Sequence, residues 1–345
     1  MSRLTVAPAT APTRDPRNVP APARAGLRVG VSWAIWATWA LALPAPGLGA
    51  EPAPGGPPVF EEETSVSWVL VPITVEGGGG DGDVPELTRE DVELRIDRRP
   101  VAFPDFVAPR DVPRTLLVFQ DLSGSMANGG KLRASQAAIR YFIDDARIGD
   151  EMALTSFASG KTWVDVPITA ERPALIEHLD AWSAYGTTAL HDAVAWIPDL
   201  RLNARSAPAV LLLTDGVDNA SVISPDAARA MVREAEVPVY VLALVRPRRA
   251  GGGGEGHDEW RYRDLLRQLA TETGGLYVES RPDEVLAACR RIRRALDSRY
   301  SLAFPLASGE STYHSIEVSV NDRRVRLRHR SGYVGAPPAD SSPLQ

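Results

Sequence analysis

Apolar runs and helical patterns alternate through the middle of the chain, from about residue 112 to residue 298. Strands are predicted for the runs TLLVFQ, EMALTSF, AVLLLTDG, PVYVLALV and LYVE, and a short edge strand for TWVDVP. The stretches between them carry apolar residues at helical spacing, as in KLRASQAAIRYFIDDA, where Leu132, Ala138, Ile139 and Phe142 share one face. This alternation predicts an α/β fold: a doubly wound, mostly parallel sheet with helices on both faces.

The segments on either side of this core have the period-two pattern of β-strands. Residues 59–111 include VELRI, and residues 299–335 include RYSLAFP, YHSIEVSV and RRVRLRHR, with a hairpin turn predicted at Asn321-Asp322. Each segment is too small to fold alone. We therefore expect them to pack together as one small β domain, with the α/β domain of residues 112–298 inserted between them. Arginines at alternate positions from Arg324 to Arg330 predict an exposed edge protected by charge.

The N-terminus has the pattern of a secretory signal peptide, predicted for residues 1–50. Arginines precede an apolar run from Val29 to Leu43, and small residues follow up to Ala50. The run is shorter than the roughly 20 residues of a membrane-spanning helix, so cleavage is favoured over an uncleaved membrane anchor. An extracytoplasmic location, periplasmic or secreted, follows. Residues 51–58 are predicted to be a linker and residues 336–345 a disordered tail.

Composition narrows the function classes. A hydrophobic fraction of 44% is typical of a globular protein, and a formal net charge of -6 argues against nucleic acid as a partner. The single cysteine, Cys289, excludes an intrachain disulfide and is expected to be a buried thiol. Among 38 basic residues only Lys131 and Lys161 are lysines, which indicates genomic composition bias.

The loop FQDLSGSMANGGK, at residues 119–131, presents Asp121, Ser123 and Ser125 at alternating positions directly after a predicted strand. A phosphate cradle is excluded, because Ser125 stands where that motif needs its first glycine and Leu132 where it needs a hydroxyl. A nucleophile elbow lacks its first glycine, but Ser123 with His191 leaves a secreted serine hydrolase as the alternative function.

A hard-metal site accounts for more of the chain. Asp215, in TDG, also follows an apolar strand, and Thr188, in the Gly-Thr-Thr loop, opens a predicted helix. Loops at the carboxyl ends of parallel strands converge on one crevice, where Asp121, Ser123 and Ser125 would join these two residues. Carboxylate and hydroxyl oxygens without His or Cys suit Mg²⁺ or Mn²⁺. With so few anions around it, such a metal would attract a carboxylate from outside.

The order D-x-S-x-S, Gly-Thr and TDG resembles the metal-ion-dependent adhesion site of the von Willebrand factor type A (VWFA) domain, over about residues 112–298. The pattern around Ala189-Leu190 and Asp192-Ala193 favours Thr188 over Thr187 as the ligand. The flanks, with LTREDVELRI before the domain and SGYVG after it, resemble a bacterial group of secreted VWFA-related proteins often described from Acidobacteria. The resemblance implies adhesion or protein assembly without enzymatic activity. The partner would be a protein that offers an Asp or Glu carboxylate, with no small-molecule substrate, and the last helix, at 282–298, would shift with metal coordination.

Overall fold

The structure of the chain is a computed structural model. The predicted signal peptide, linker and tail lie outside the residues that it describes. In that described part, no helix is long and apolar enough to cross a membrane. The described residues are 68–77, 85–197, 206–216, 218–233, 237–245, 257–306, 312–322 and 324–335.

A six-stranded sheet forms the centre of the α/β part, in the order β10-β9-β8-β5-β6-β7. All neighbours are parallel except β7, which lies antiparallel to β6 at one edge. The predicted doubly wound, mostly parallel sheet is therefore confirmed. Its strands are β5 Arg114–Asp121, β6 Glu151–Ala158, β7 Lys161–Thr169, β8 Ala207–Thr214, β9 Val239–Leu244 and β10 Tyr277–Ser280.

Helices cover both faces of this sheet because its strands are apolar on both sides. In β5, Leu116 and Val118 belong to one core cluster, and Leu117 and Phe119 belong to the other. Helices α1, α2 and α6 contribute to the first cluster, and α3, α4 and α5 to the second. The helices are α1 Lys131–Asp144, α2 Arg172–Ala181, α3 Leu190–Ala195, α4 Pro225–Arg233, α5 His257–Glu272 and α6 Val285–Asp297.

The flanking segments build two four-stranded sheets around a third apolar cluster. One sheet has the order β13-β1-β11-β4 and the other β14-β12-β2-β3, so each combines strands from before and after the α/β part. The domain boundaries themselves stay a prediction. These strands are β1 Trp68–Gly77, β2 Val92–Ile96, β3 Arg99–Pro100, β4 Asp105–Val107, β11 Arg299–Pro305, β12 Tyr313–Val320, β13 Val325–His329 and β14 Gly332–Val334.

The prediction of a hairpin turn at Asn321-Asp322 is wrong. The turn joins β12 to β13, but β12 pairs with β2 and β14, whereas β13 pairs with β1. The chain crosses from one sheet to the facing sheet at this turn, so both strands direct apolar side chains into the shared cluster.

The arginine edge was predicted correctly for β13 but not for all of its arginines. This strand is at the edge of its sheet, and Arg324 and Arg326 are exposed. Arg330, just after the strand, is buried and donates to the carbonyl oxygen of Gly332 at 2.8 Å. Its guanidinium lies in the interior and donates hydrogen bonds to backbone carbonyls, which replace water as acceptors.

Candidate metal centre

The first candidate loop begins at the carboxyl end of β5, where the Asp121 side chain is fully buried. Its Oδ1 accepts the backbone N–H of Ser123 at 2.8 Å, and its Oδ2 accepts the hydroxyl of Thr214 at 2.6 Å. Thr214 is the last residue of the neighbouring strand β8. Both oxygens of Asp121 are thus occupied by the protein, which fixes this carboxylate between β5 and β8.

The hydroxyl groups of Ser123 and Ser125 lie 3.0 Å apart and are hydrogen-bonded to each other. Between them the chain enters a tight turn, in which the backbone N–H of Met126 donates to the carbonyl of Ser123 at 3.0 Å. The buried Met126 side chain anchors this turn in the core. The spacing of two in D-x-S-x-S therefore does place both hydroxyls together.

The second candidate carboxylate, Asp215, directly follows β8, and its side chain is only 6% exposed. Its Oδ2 accepts a hydrogen bond from Nζ of Lys131, whose side chain is 3% exposed. Its Oδ1 is buried and has no hydrogen-bond partner. A buried carboxylate oxygen without a partner is costly unless something else satisfies it.

The third candidate residue, Thr188, is buried, whereas its neighbour Thr187 is exposed. The backbone N–H of Thr188 donates to Oδ1 of Asn219 at 2.9 Å, and its carbonyl accepts the backbone N–H groups of Asn219 and Ala220. Thr188 is thereby tied to the loop that follows Asp215. Its burial favours the choice of Thr188 over Thr187, which stays a prediction.

Backbone contacts join the first loop to the Gly-Thr loop. The N–H of Gly124 donates to the carbonyl of Gly186 at 3.0 Å, and the N–H of Tyr185 donates to the carbonyl of Leu122 at 2.7 Å. A Cβ on Gly124 would lie 3.1 Å from the oxygen of Gly186, so a side chain at this position would crowd the contact between the loops. The three predicted loops therefore meet at the carboxyl ends of β5 and β8.

Burial raises the pKa of Asp121 to about 6, and the charge of nearby Asp215 adds to the rise. Hydrogen bonds from Ser123 and Thr214 oppose it without cancelling it. A cation close to a buried carboxylate favours the charged form and would lower this pKa.

Asp218, in the loop that follows Asp215, is the centre of a hydrogen-bond network. Its carboxylate accepts the hydroxyl of Ser221 at 2.6 Å and the backbone N–H of His191 at 2.9 Å. Nδ1 of His191 lies 3.3 Å from Oδ2 of Asp218. Burial alone would raise the pKa of Asp218, but these hydrogen bonds hold it below its ordinary value. The D-x-x-S spacing from Asp218 to Ser221 was the signal available in the sequence.

His191 does not form the contact that a serine hydrolase would need. Its Nδ1 faces Asp218, and its Nε2 has no hydrogen-bond partner, while the Ser123 hydroxyl is bonded to Ser125. A general base must reach the hydroxyl whose proton it takes. The geometry of the described residues therefore gives the hydrolase alternative no support.

The donor set fits a hard divalent cation better than a softer one. Buried Asp121, the 6% exposed side chain of Asp215 and two paired hydroxyls gather at one end of the sheet, and one carboxylate oxygen there lacks a partner. Over the described residues, no group of three or more His, Cys, Asp or Glu side chains could hold a metal ion. Hydroxyl ligands would therefore have to complete any coordination, as Mg²⁺ and Mn²⁺ accept.

No protein-family model and no curated protein matches this chain. Among solved structures, a von Willebrand factor type A protein from Catenulispora acidiphila shares 13% identity, with a TM-score of 0.45 over 81% of this chain and 76% of that one. BatB from Bacteroides thetaiotaomicron shares 19% identity, with a TM-score of 0.42 over 54% of this chain and 100% of that one. Proximal thread matrix protein 1 from the mussel byssus, with a zinc-occupied MIDAS motif, shares 18% identity at a TM-score of 0.42, over 58% of this chain and 48% of that one.

The fold assignment rests on features of this chain itself. β5 lies between β8 and β6, so the chain winds to one side of β5 and then to the other. Asp121 ends β5 and Asp215 follows β8, the two strands at this switch point, where ligands bind in open α/β sheets. The narrower resemblance of the flanks to the secreted group described from Acidobacteria stays a prediction. Over residues 114–297, the three motifs, the sheet order and the meeting of their loops are similar to those of the von Willebrand factor type A fold.

Proposed function

We propose that this protein is an exported, metal-dependent protein-binding module with an adhesion role. Asp121, Ser123, Ser125, Thr188 and Asp215 hold Mg²⁺ or Mn²⁺ at the carboxyl end of the sheet. The observation that carries the proposal is the buried, unpartnered Oδ1 of Asp215 beside buried Asp121 and the paired serine hydroxyls.

The residues of the proposed site contribute to metal binding in different ways. Asp215 has an oxygen available for direct contact, whereas both oxygens of Asp121 accept hydrogen bonds from protein groups and act on the cation through charge. The hydroxyls of Ser123, Ser125 and Thr188 supply neutral oxygens. When bound, the metal supplies an electrophilic position that an Asp or Glu carboxylate of a partner protein fills. No small-molecule substrate and no nucleic acid is part of this function.

The exported location rests on the predicted signal peptide at residues 1–50. Direct contact with a membrane would follow only if that segment were retained as an anchor. In the periplasm or outside the cell, divalent cations and acidic partner surfaces would both be accessible to the site. A protein can act as the partner if its surface offers an accessible Asp or Glu carboxylate.

Calorimetric titration of the purified protein with Mg²⁺ and with Mn²⁺ tests the metal site. We expect saturable binding that the Ser125→Ala variant weakens by at least about tenfold, because a direct oxygen ligand is lost. The matched control is Ser319→Ala, which removes an exposed hydroxyl from β12 and should leave the affinity unchanged. Equal affinities for the wild type and Ser125→Ala would contradict the proposed ligand set.

Capture of a carboxylate is tested with the same preparations. A surface coated with glutamate-rich peptide should retain the wild type in Mg²⁺, and chelator should release it. A matched glutamine-rich surface should not retain it. Retention that survives both chelator and Ser125→Ala would contradict the proposed function.

A further inference from the structure

Lys131 brings a positive charge to the proposed metal site, and neither the motif nor the proposed function accounts for it. Lysine is almost never fully buried unless its charge is paired. Here the side chain is 3% exposed, and its Nζ donates to Oδ2 of Asp215. The other lysine of the chain, Lys161, is exposed on β7.

The local backbone holds Lys131 firmly at this position. Gly129 and Gly130 take left-handed φ values of 65° and 75° and turn the chain into α1, of which Lys131 is the first residue. The backbone N–H of Lys131 donates to the carbonyls of Met126 and Asn128 in the same loop. The lysine is thus built into the loop that carries Ser123 and Ser125.

Lys131 and a metal ion would share one carboxylate. The ammonium takes Oδ2 of Asp215, and the unpartnered Oδ1 of the same group is the oxygen available to a metal. Without metal, Lys131 offsets one of the two buried negative charges of Asp121 and Asp215. With metal, it becomes a like charge beside a divalent cation, where the screening by water is weak.

We propose that Lys131 is an internal counter-ion that stabilises the metal-free site and opposes metal binding, so that it lowers the affinity of the site for Mg²⁺ and Mn²⁺. This inference rests on the proposed metal site. The lysine makes occupancy depend on additional negative charge, and the carboxylate of an acidic partner supplies that charge. Metal and partner then bind with positive coupling, because each offsets the cost that the other meets.

Calorimetric titration of the Lys131→Met variant with Mg²⁺ and Mn²⁺ tests the proposal. Methionine keeps much of the apolar length of the side chain and removes the charge. We expect the affinity to increase by at least about tenfold, since a like charge next to the cation is gone. The matched control, Lys161→Met, makes the same change in net charge at an exposed position and should bind metal as the wild type does.

Equal or weaker affinity of folded Lys131→Met would overturn this inference and leave the proposed function intact. Binding in Lys131→Met but not in the wild type would support it. Absence of binding in every variant would overturn the proposed function and the inference together. Lys131→Gln, whose amide can still donate to Asp215 without a charge, serves if the methionine variant does not fold, and the same affinity increase is expected.

Chemical labelling of the wild type gives a test that needs no variant. The chain has two lysines, so acetylation by a water-soluble ester can be followed at each by mass spectrometry. Lys131 should be protected without metal and Lys161 should be labelled. Saturating Mg²⁺ should increase the labelling of Lys131 relative to Lys161, because a cation at Oδ1 weakens the attraction of Asp215 for the ammonium. An unchanged ratio at saturation would contradict the proposed opposition between Lys131 and the metal.

Discussion

Asp121 and Asp218 are both buried near the ends of β5 and β8, yet their environments shift the two pKa values in opposite directions. For Asp121, burial outweighs hydrogen bonds from Ser123 and Thr214, and the pKa rises. For Asp218, hydrogen bonds from Ser221 and His191 outweigh burial, and the pKa falls. The two carboxylates therefore differ in role: Asp218 stabilises the loop structure, whereas Asp121 is the one whose charged form a cation at the proposed site would favour.

At the residue scale, replacing Asp218 by alanine should destabilise the fold. The change leaves the donors of Ser221 and His191 without their acceptor in a buried place, so the free energy of unfolding should fall by about 2–3 kcal/mol. Urea unfolding followed by fluorescence measures this loss. The control is Asp226→Ala, an exposed aspartate of α4, which should change stability by less than about 0.5 kcal/mol. Similar losses in the two variants would contradict the network.

The sequence indicated the candidate ligands because their motif spacing is local, but not the ion pair of Lys131 or the hydrogen-bond network of Asp218. The sequence indicates Lys131 as the start of a helix, and Asp218 as a turn-former that could also support the metal ligands. Both obtain their roles from partners far along the chain: Lys131 from Asp215, and Asp218 from His191. The available signals were weak, namely a rare lysine after two glycines and the D-x-x-S spacing.

At the element scale, the strands and helices of the α/β part could be predicted because each carries its own apolar pattern. The partners of the strands could be predicted only where helices separate them, since a strand–helix–strand unit implies a parallel sheet. The turn at Asn321-Asp322 shows the limit. A turn sequence fixes the reversal of the chain but not whether β12 and β13 bond to each other, and they lie in different sheets.

The starts of β5 and β6, opposite the candidate site, are joined through one carboxylate. Asp150 accepts the backbone N–H of Arg114 at 2.7 Å and the backbone N–H of Arg147 at 3.0 Å. The guanidinium of Arg114 also donates to it at 2.9 Å. Burial alone would raise the pKa of Asp150, but these hydrogen bonds and charges hold it below its ordinary value.

A pH dependence follows for this junction. A depressed carboxylate pKa stabilises the fold above the unfolded-state value of about 4, and the contribution is lost as pH falls through the folded-state value. Asp150→Asn should therefore lower the free energy of unfolding at pH 7 by about 2 kcal/mol. The difference from wild type should shrink as pH falls from about 5 to 3. Urea unfolding at several pH values measures it, and a difference that stays constant with pH would contradict the assigned role.

At the scale of the whole molecule, buried polar contacts connect the α/β part to the flanking sheets. Arg299, the first residue of β11, is buried and donates to the carbonyl of Pro208, at the start of β8, at 2.7 Å. The hydroxyls of Thr74 in β1 and Tyr240 in β9 lie 3.4 Å apart. Burying a guanidinium without a carboxylate is costly unless backbone oxygens accept its hydrogens. These contacts therefore fix the arrangement of the two parts.

A second connection lies where α5 ends against β13, and a glycine makes it possible. Gly274 has a φ of 78°, and a Cβ there would lie 2.7 Å from the backbone nitrogen of Arg330. Gly160, in the turn between β6 and β7, has a φ of 71° but no atom within 4 Å of such a Cβ. An alanine at Gly160 would therefore add only the strain of a left-handed backbone. An alanine at Gly274 would add the same strain and also a clash with the backbone at Arg330.

Gly160→Ala should lower the free energy of unfolding by about 1–2 kcal/mol, the cost of a left-handed alanine. Gly274→Ala should lower the free energy of unfolding by about 1–3 kcal/mol more than Gly160→Ala does. The added methyl group clashes with backbone atoms, which cannot move aside as a flexible side chain can. Urea unfolding followed by both fluorescence and circular dichroism measures the two losses. The two signals should change together if the parts unfold as one unit. If the two variants lost the same free energy of unfolding, the backbone at His329 and Arg330 would have to move without cost. The contact at Gly274 would then not hold the flanking sheets to the α/β part.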